Sequence, residues 1–302
     1  MNHEKFEAHV AGQGEAQWNQ SYYFNAYDPQ TNAGCLIRIG LLEYAQQSNS
    51  WLIAFQDGLP IFTRTNLQLP YIKERPAGGM HIAGMHVEVI EPLKKCRIRF
   101  DEGEFSLDLV WETLHTLADS IAMSSGESGN FSDDIAHVHL EGPCKVRGHM
   151  TVRGRRIEID AHGFRDVAAG VRNWASLKHY RLAWPVFEDG RTFCGIRGID
   201  TQGRSGYLRM YHDGQRWLRV QDIEDHNEYE LADPFTVKTL HWAFKDETGK
   251  RQEVTGRPVF RWLFPQDDFV LCEQIMAYQL DDGTRGHGLC EGGFRLPWGG
   301  LA

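Results

Sequence analysis

Arg97-Ile98-Arg99-Phe100-Asp101-Glu102-Gly103-Glu104-Phe105-Ser106-Leu107-Asp108-Leu109-Val110-Trp111 is the stretch that decides the fold class. From Phe105 onward a large apolar residue stands at every second position: Phe105, Leu107, Leu109, Trp111. Residues two apart share one face of a β-strand, so this is a strand with one buried face and one wetter face. Arg97 to Phe100 alternates in the same way. Between the two runs, Asp101-Glu102-Gly103-Glu104 has the composition of a tight turn, and the whole stretch predicts an antiparallel hairpin.

The same grammar extends outward. Leu36-Ile37-Arg38-Ile39 and Met85-His86-Val87-Glu88-Val89-Ile90 are rich in strand formers. In the second half, turn clusters recur at Glu188-Asp189-Gly190, Thr201-Gln202-Gly203, His212-Asp213-Gly214, Glu247-Thr248-Gly249 and Asp281-Asp282-Gly283. They separate segments such as Tyr207-Leu208-Arg209-Met210-Tyr211 and Trp217-Leu218-Arg219-Val220. Short strands between regular turns predict an all-β sandwich or barrel. Helical signal is confined to a short helix over 114–123 and a turn or two over 167–174. Ser124-Ser125-Gly126-Glu127-Ser128-Gly129-Asn130 reads as a loop. The strands expected over 137–146 and 148–160 are assigned to the first sheet, which puts the boundary near residue 155. The expected architecture is two antiparallel β-barrel halves, 1–155 and 156–302, with a shared or inter-domain hydrophobic cavity.

Composition bounds the function. With 41% hydrophobic and 24% charged residues the chain is globular rather than disordered. No apolar run reaches the roughly 18 residues of a membrane span. The start, Met1-Asn2-His3-Glu4-Lys5, lacks the pattern of a secretory signal, and a cytoplasmic location is expected. Cys35, Cys96, Cys144, Cys194, Cys272 and Cys290 form no Cys-x-x-Cys pair, so they read as buried free thiols rather than a disulfide or zinc framework. The net charge of −9 and the scattered Lys and Arg argue against nucleic acid as a partner. Gly286-His287-Gly288 lacks the third glycine of a dinucleotide site, and there is no P-loop and no nucleophile elbow, so no cofactor is expected.

Four stretches carry candidate chemistry. In His137-Val138-His139-Leu140-Glu141, strand alternation points His137, His139 and Glu141 the same way. That is either a polar face or part of a metal site, the polar face being the expected one. Asp160 to Trp174 is dense in charge. Arg165, Asp166 and Arg172 there form either an active-site lining or a buried ion-pair network. Trp18 to Pro29 is aromatic-rich, and Trp18 and Tyr23 serve either as core or as ligand wall. Gly286 to Gly293 places Glu291 at a strand end or in an exposed loop.

Taken in order, these stretches resemble the lipocalin-like superfamily that includes carotenoid 1,2-hydratase, AttH-type proteins, tocopherol-cyclase-like proteins and some terpene cyclases and Diels–Alderases. The resemblance is carried by Tyr23-Phe24-Asn25-Ala26-Tyr27-Asp28-Pro29, Arg38-Ile39-Gly40, His139-Leu140-Glu141, Gly163-Phe164-Arg165-Asp166, Gly170-Val171-Arg172-Asn173-Trp174 and Gly286 to Glu291. It spans 18–291, and is similar to a bacterial branch with a central Gly-x-Arg-Asp-His-Ser-Trp-Gly-x-Arg-Asp-Trp. Val167-Ala168-Ala169 stands where that branch has His-Ser-Trp, and Asn173 where it has a carboxylate. The resemblance implies lipocalin-like halves around a hydrophobic pocket. The missing indole implies a roomier cavity, and so a bulkier substrate, altered chemistry or none.

Two functions are expected from these features. The first is cofactor-independent, acid-catalysed hydration, dehydration or cyclisation of an isoprenoid-, steroid- or polycyclic-like molecule. Glu141, Asp166 or Glu291 would be the acid, since burial disfavours the carboxylate anion. Trp18, Tyr23, His139, Arg165, Arg172 and Trp174 would line the substrate, the aromatic faces stabilising a developing cation. If Arg165 pairs with Asp166, Glu141 becomes the better acid. The second is a non-catalytic carrier of a lipophilic ligand.

Overall fold

A computed structural model describes residues 3–8, 10–12, 14–72, 78–124, 136–266 and 268–296. The loop expected after Ser124 lies outside the described residues. The chain divides into two compact units, Met1–Asp119 with Ala136–Arg172, and Ser120–Ile135 with Asn173–Ala302.

The first unit contains β1 (Trp18–Asp28), β2 (Ala33–Leu42), β3 (Gln47–Gln56), β4 (Leu59–Pro70), β5 (Gly79–Ile82), β6 (Met85–Glu91), β7 (Lys95–Glu102), β8 (Phe105–Thr113), β9 (Ala118–Asp119), β10 (Val138–Val152) and β11 (Arg155–Val171). These pair into one antiparallel sheet in the order β4-β3-β2-β1-β11-β10-β8-β7-β6-β5, with β9 added on β10. The hairpin of β7 and β8 is as predicted, with Phe105, Leu107, Leu109 and Trp111 buried and Phe100 opposite Leu107. Two-residue turns at Asp57-Gly58 (φ 53° and 75°) and Arg153-Gly154 (φ 49° and 78°) join β3 to β4 and β10 to β11. Paired positive φ values are what a tight hairpin with right-twisted strands requires. The core of this unit is apolar and continuous, from Tyr22, Phe24, Ile37 and Leu52 to Trp111, Leu140, Val167 and Ala169. The indole N–H of Trp111 donates to the Asn25 carbonyl at 2.9 Å, so this large side chain is buried without an orphaned donor.

The second unit contains helix α1 (Ser120–Ser124) and β12 (Leu177–Phe187), β13 (Thr192–Asp200), β14 (Ser205–His212), β15 (Trp217–Glu230), β16 (Asp233–Asp246), β17 (Arg251–Gln266), β18 (Phe269–Leu280) and β19 (Arg285–Arg295). Each strand pairs with the next, and β19 returns to β12. The five predicted turn clusters all mark strand connections, His212 closing β14, with Gly190 at φ 84° and Gly283 at φ 90°. Its own core runs through Phe187, Phe193, Tyr211, Trp242, Phe244 and Met276. Helix α1 is tied to β14 through Ser124, whose hydroxyl accepts from the Arg209 N–H at 2.8 Å.

Three expectations are corrected. The first is the closure of each half into a β-barrel. The first unit is an open sheet with edges at β4 and β5. In the second, the seam between β14 and β15 is thin, held over Met210↔Arg219, Tyr211↔Leu218 and His212↔Trp217 alone. The finding is two all-β units, each with its own core. The second is the boundary near 155. It falls at the tip of the β10–β11 hairpin, whose register runs unbroken from Val152↔Arg155 to Val138↔Ala169, so the division comes after Arg172 instead. The third is helix. Residues 167–171 complete β11, and only a 3-10 turn at Trp174–Ser176 follows, while α1 covers only 120–123 of the expected 114–123.

The closing pairing of β12 with β19 depends on Gly288. A Cβ there would lie 1.8 Å from the backbone oxygen of Trp184, an atom that cannot move without breaking the ladder. Gly288→Ala is therefore expected to destabilise the protein by about 1–3 kcal/mol, measured by urea unfolding. A midpoint equal to that of the wild type would show that this seam relaxes freely.

Candidate active site

Strand alternation sorts the charged residues of β10 and β11 onto two faces. Val138, Leu140, Val167 and Ala169 enter the first unit's core. His139, Glu141, Asp166 and Ala168 therefore stand on the opposite face of the same sheet. The register places Glu141 opposite Asp166 and His139 opposite Ala168. On the other flank of β11, Tyr23 of β1 is opposite Asp166 and Ser21 opposite Ala168.

There His139 bridges two carboxylates. Its Nδ1 lies 2.8 Å from Glu141 Oε1 and its Nε2 3.2 Å from Asp166 Oδ2. Side-chain exposure is 6% for His139, 0% for Glu141 and 11% for Asp166, so Asp166 is the member closest to the outside of the group. Its Oδ1 is buried and has no hydrogen-bond partner among the described residues. Burial works against charge on the His139 ring, but the Glu141 charge and the contacts with Asp166 outweigh it and lift the ring to about 10. At neutral pH the imidazole therefore holds a proton between two carboxyl groups. The short β9 strand supports the arrangement: Asp119 Oδ1 accepts from the His139 backbone N–H at 3.3 Å.

The other proposed site residues separate. Tyr23 is buried on the Asp166 face and meets Trp51 edge-on at 5.8 Å between ring centroids. Arg172 extends to the same face, where Nη1 donates to Ser21 Oγ at 3.5 Å. Arg165, in contrast, turns into the core. Its Nη2 pairs with Glu7 Oε1 at 2.6 Å and its guanidinium lies 5.6 Å from the Phe24 ring centroid. It does not pair with Asp166. Trp18 also points to the core side, with its indole N–H donating to the Val10 carbonyl at 3.0 Å. His137 stands apart from His139: half-exposed, it contacts Trp18 and Glu15. Among the described residues no group of three or more His, Cys, Asp or Glu side chains is arranged to hold a metal ion. Glu291 and Trp174 belong to the second unit. Tyr180 donates its hydroxyl to Glu291, and the Trp174 ring lies 5.6 Å from Phe269.

Val167 and Ala169 are core residues, so the absence of His and Trp at those positions alters core packing and does not widen the Asp166 face. Glu7, the partner of Arg165, was not foreseen: it comes from a 3-10 turn at His3–Glu7, with no local signal linking it to β11. The meeting of Glu141 with Asp166 did have a signal. A two-residue turn at Arg153-Gly154 fixes the register that sets them opposite each other.

The fold of this all-β chain is shared by solved structures that align over most of its length. It aligns with an AttH-designated protein from Nitrosomonas europaea at TM-score 0.66 and 12% identity, covering 97% of this chain and 95% of that one. It aligns with CghA crystallised with Sch210972 at TM-score 0.66 and 10% identity, over 93% of this chain and 89% of that one. For kievitone hydratase from Nectria haematococca the values are 0.62 and 13%, over 95% and 93%. The protein belongs to the family described as Domain of unknown function (DUF7064), whose profile matches residues 2–293. No curated protein matches the sequence significantly. No helix among the described residues is long and apolar enough to cross a membrane.

Proposed function

We propose that the protein is a cofactor-independent enzyme that adds a proton to, or removes one from, a hydrophobic small molecule, in a hydration, dehydration or cyclisation. The observation that carries this is the His139 bridge between Glu141 and Asp166, with Asp166 Oδ1 unpartnered among the described residues. Asp166 is the group that exchanges the proton with the substrate. His139 is a positioning residue and proton store: Nε2 returns its proton to Asp166 when the substrate needs an acid, and takes it back when the substrate needs a base. Glu141 holds the ring in place through Nδ1. The buried setting excludes water and keeps the exchange between these groups. Tyr23 and Trp51, on the same face or beside it, offer ring surfaces to an apolar substrate and to a developing cation. The names of kievitone hydratase and of CghA with Sch210972 belong to those proteins, and support a small-molecule substrate here through the shared fold. Six buried thiols, none bonded to another, suit a reducing cytoplasm.

The test is carbon deuteration. Purified protein is incubated in deuterium oxide with a lipophilic extract, and the molecules it retains are identified by native mass spectrometry. Wild type is expected to place deuterium on a carbon of its ligand, and Asp166→Asn to slow this about 100-fold while still binding. A lipophile retained by both without exchange would make the protein a carrier. The small Ala168 beside Asp166, where the resembled family has a serine, favours that second reading.

A further inference from the structure

Arg181 lies on β12, two residues from Ala183 of the second unit's core and on the same face of the strand. It is 2% exposed. Its Nη2 donates to the Phe235 carbonyl at 3.3 Å, while Nε and Nη1 have no hydrogen-bond partner among the described residues. Among the described residues it makes no ion pair. The neighbouring carboxylates do not serve it: Glu273 and Glu291 are opposite each other in register, on the face away from Cys272, Cys290 and Arg181. The two thiols on its own side do not neutralise it either. Burial raises Cys272 to about 12 and raises Cys290 too, so both stay uncharged at neutral pH. A guanidinium buried without a counter-ion is costly. The rings of Tyr229 and Phe294, with centroids 5.4 and 5.1 Å from Cζ, offset only part of that cost.

The surroundings admit the guanidinium and reach solvent at their edge. Gly292 sits beside it, where a Cβ would fall 2.4 Å from Nη1, so the absence of a side chain is what admits the guanidinium. His179, Tyr229, Phe235 and Phe294, around it, are all partly exposed. Three of them are aromatic carbocycles, with Phe235 and Phe294 5.3 Å apart.

We propose that Arg181 anchors the carboxylate of a small organic acid with a flat apolar body, which enters between Tyr229, Phe235 and Phe294. The carboxylate takes hydrogen bonds from Nε and Nη1 and supplies the missing negative charge. A charge-assisted contact of this kind is strong and selects planar carboxylates. This site lies within the second unit and is independent of the role proposed for Asp166.

The experiment compares trans-cinnamate with its uncharged counterpart, trans-cinnamamide, by isothermal titration calorimetry on the full chain. Wild type is expected to bind cinnamate at least tenfold more tightly than the amide. In Arg181→Met that preference falls to near unity with amide binding unchanged, and Arg181→Lys, which keeps the charge but not the fork, gives an intermediate preference. The lysine variant carries the test if the methionine variant does not fold. Equal affinities in the wild type, no cinnamate binding at all, or an unchanged preference in a folded Arg181→Met or in Arg181→Lys would each overturn the proposal.

Discussion

His139→Leu is expected to lower the unfolding free energy by about 3–5 kcal/mol, because it leaves Glu141 and Asp166 buried side by side without the cation between them. The effect is specific in its repair. Adding Glu141→Gln and Asp166→Asn to the same chain removes the uncompensated charges, and most of the lost stability is expected to return. It is also specific in its pH dependence. The His139 ring is raised in the folded protein to about 10 from an ordinary 6.5, so its contribution is complete below pH 6.5 and drains away as pH rises through 10. The wild type should therefore lose stability on the order of several kcal/mol between neutral pH and pH 10, and His139→Leu should lose far less over the same interval. Urea unfolding at pH 7 and at pH 10 measures both. Parallel pH profiles for the two proteins would mean that the proton is not held where the geometry puts it.

The second large effect concerns Arg165 and Glu7. Arg165 is wholly buried; Nη2 pairs with Glu7, and among the described residues Nε and Nη1 have no hydrogen-bond partner. Burial opposes the guanidinium charge, and the Glu7 charge more than restores it. Glu7 Oε1 also accepts from the Leu93 backbone N–H at 2.8 Å, so one carboxylate ties the N-terminal turn to both β11 and the turn before β7. Glu7→Gln removes the counter-charge and is expected to cost about 3–5 kcal/mol. Glu7→Leu combined with Arg165→Met is expected to cost much less than Glu7→Gln alone, since a buried pair has already lost its hydration and an apolar pair of similar volume does not need it. A double-mutant cycle by thermal unfolding decides this. Additive losses would show that the two side chains are not coupled.

Much of the fold was legible because period two is a local property. Phe105 to Trp111 declares its buried face without reference to any other strand, and the glycines of the second half mark its turns. Whether a sheet closes is not local. It depends on which edges find partners, and nothing in β4 or β5 states that they find none on their outer sides. The site shows the same division. Alternation put His139 and Glu141 on one face, but it also placed His137 with them. His137 precedes the first residue of β10 and escapes the strand's geometry. Arg165 and Asp166 are adjacent, and the sequence leaves open whether they pair. On a strand adjacency means opposite faces, so one neighbour went to the core and the other to the site. Trp18 and Tyr23 part company for the same reason.

The order in which this site comes into being follows from the pairing of β1 with β11. His139, Glu141 and Asp166 lie on a single hairpin and can meet as soon as its turn forms. Tyr23 and Ser21 reach them only when the beginning of the first unit finds its end, with Trp18 against Val171. Closing so long a loop is slow, and all the strands between must wait for it or form without it. A nascent chain therefore carries the charged half of the site before its aromatic wall exists, and for that interval the three groups that are later shut away stand in water.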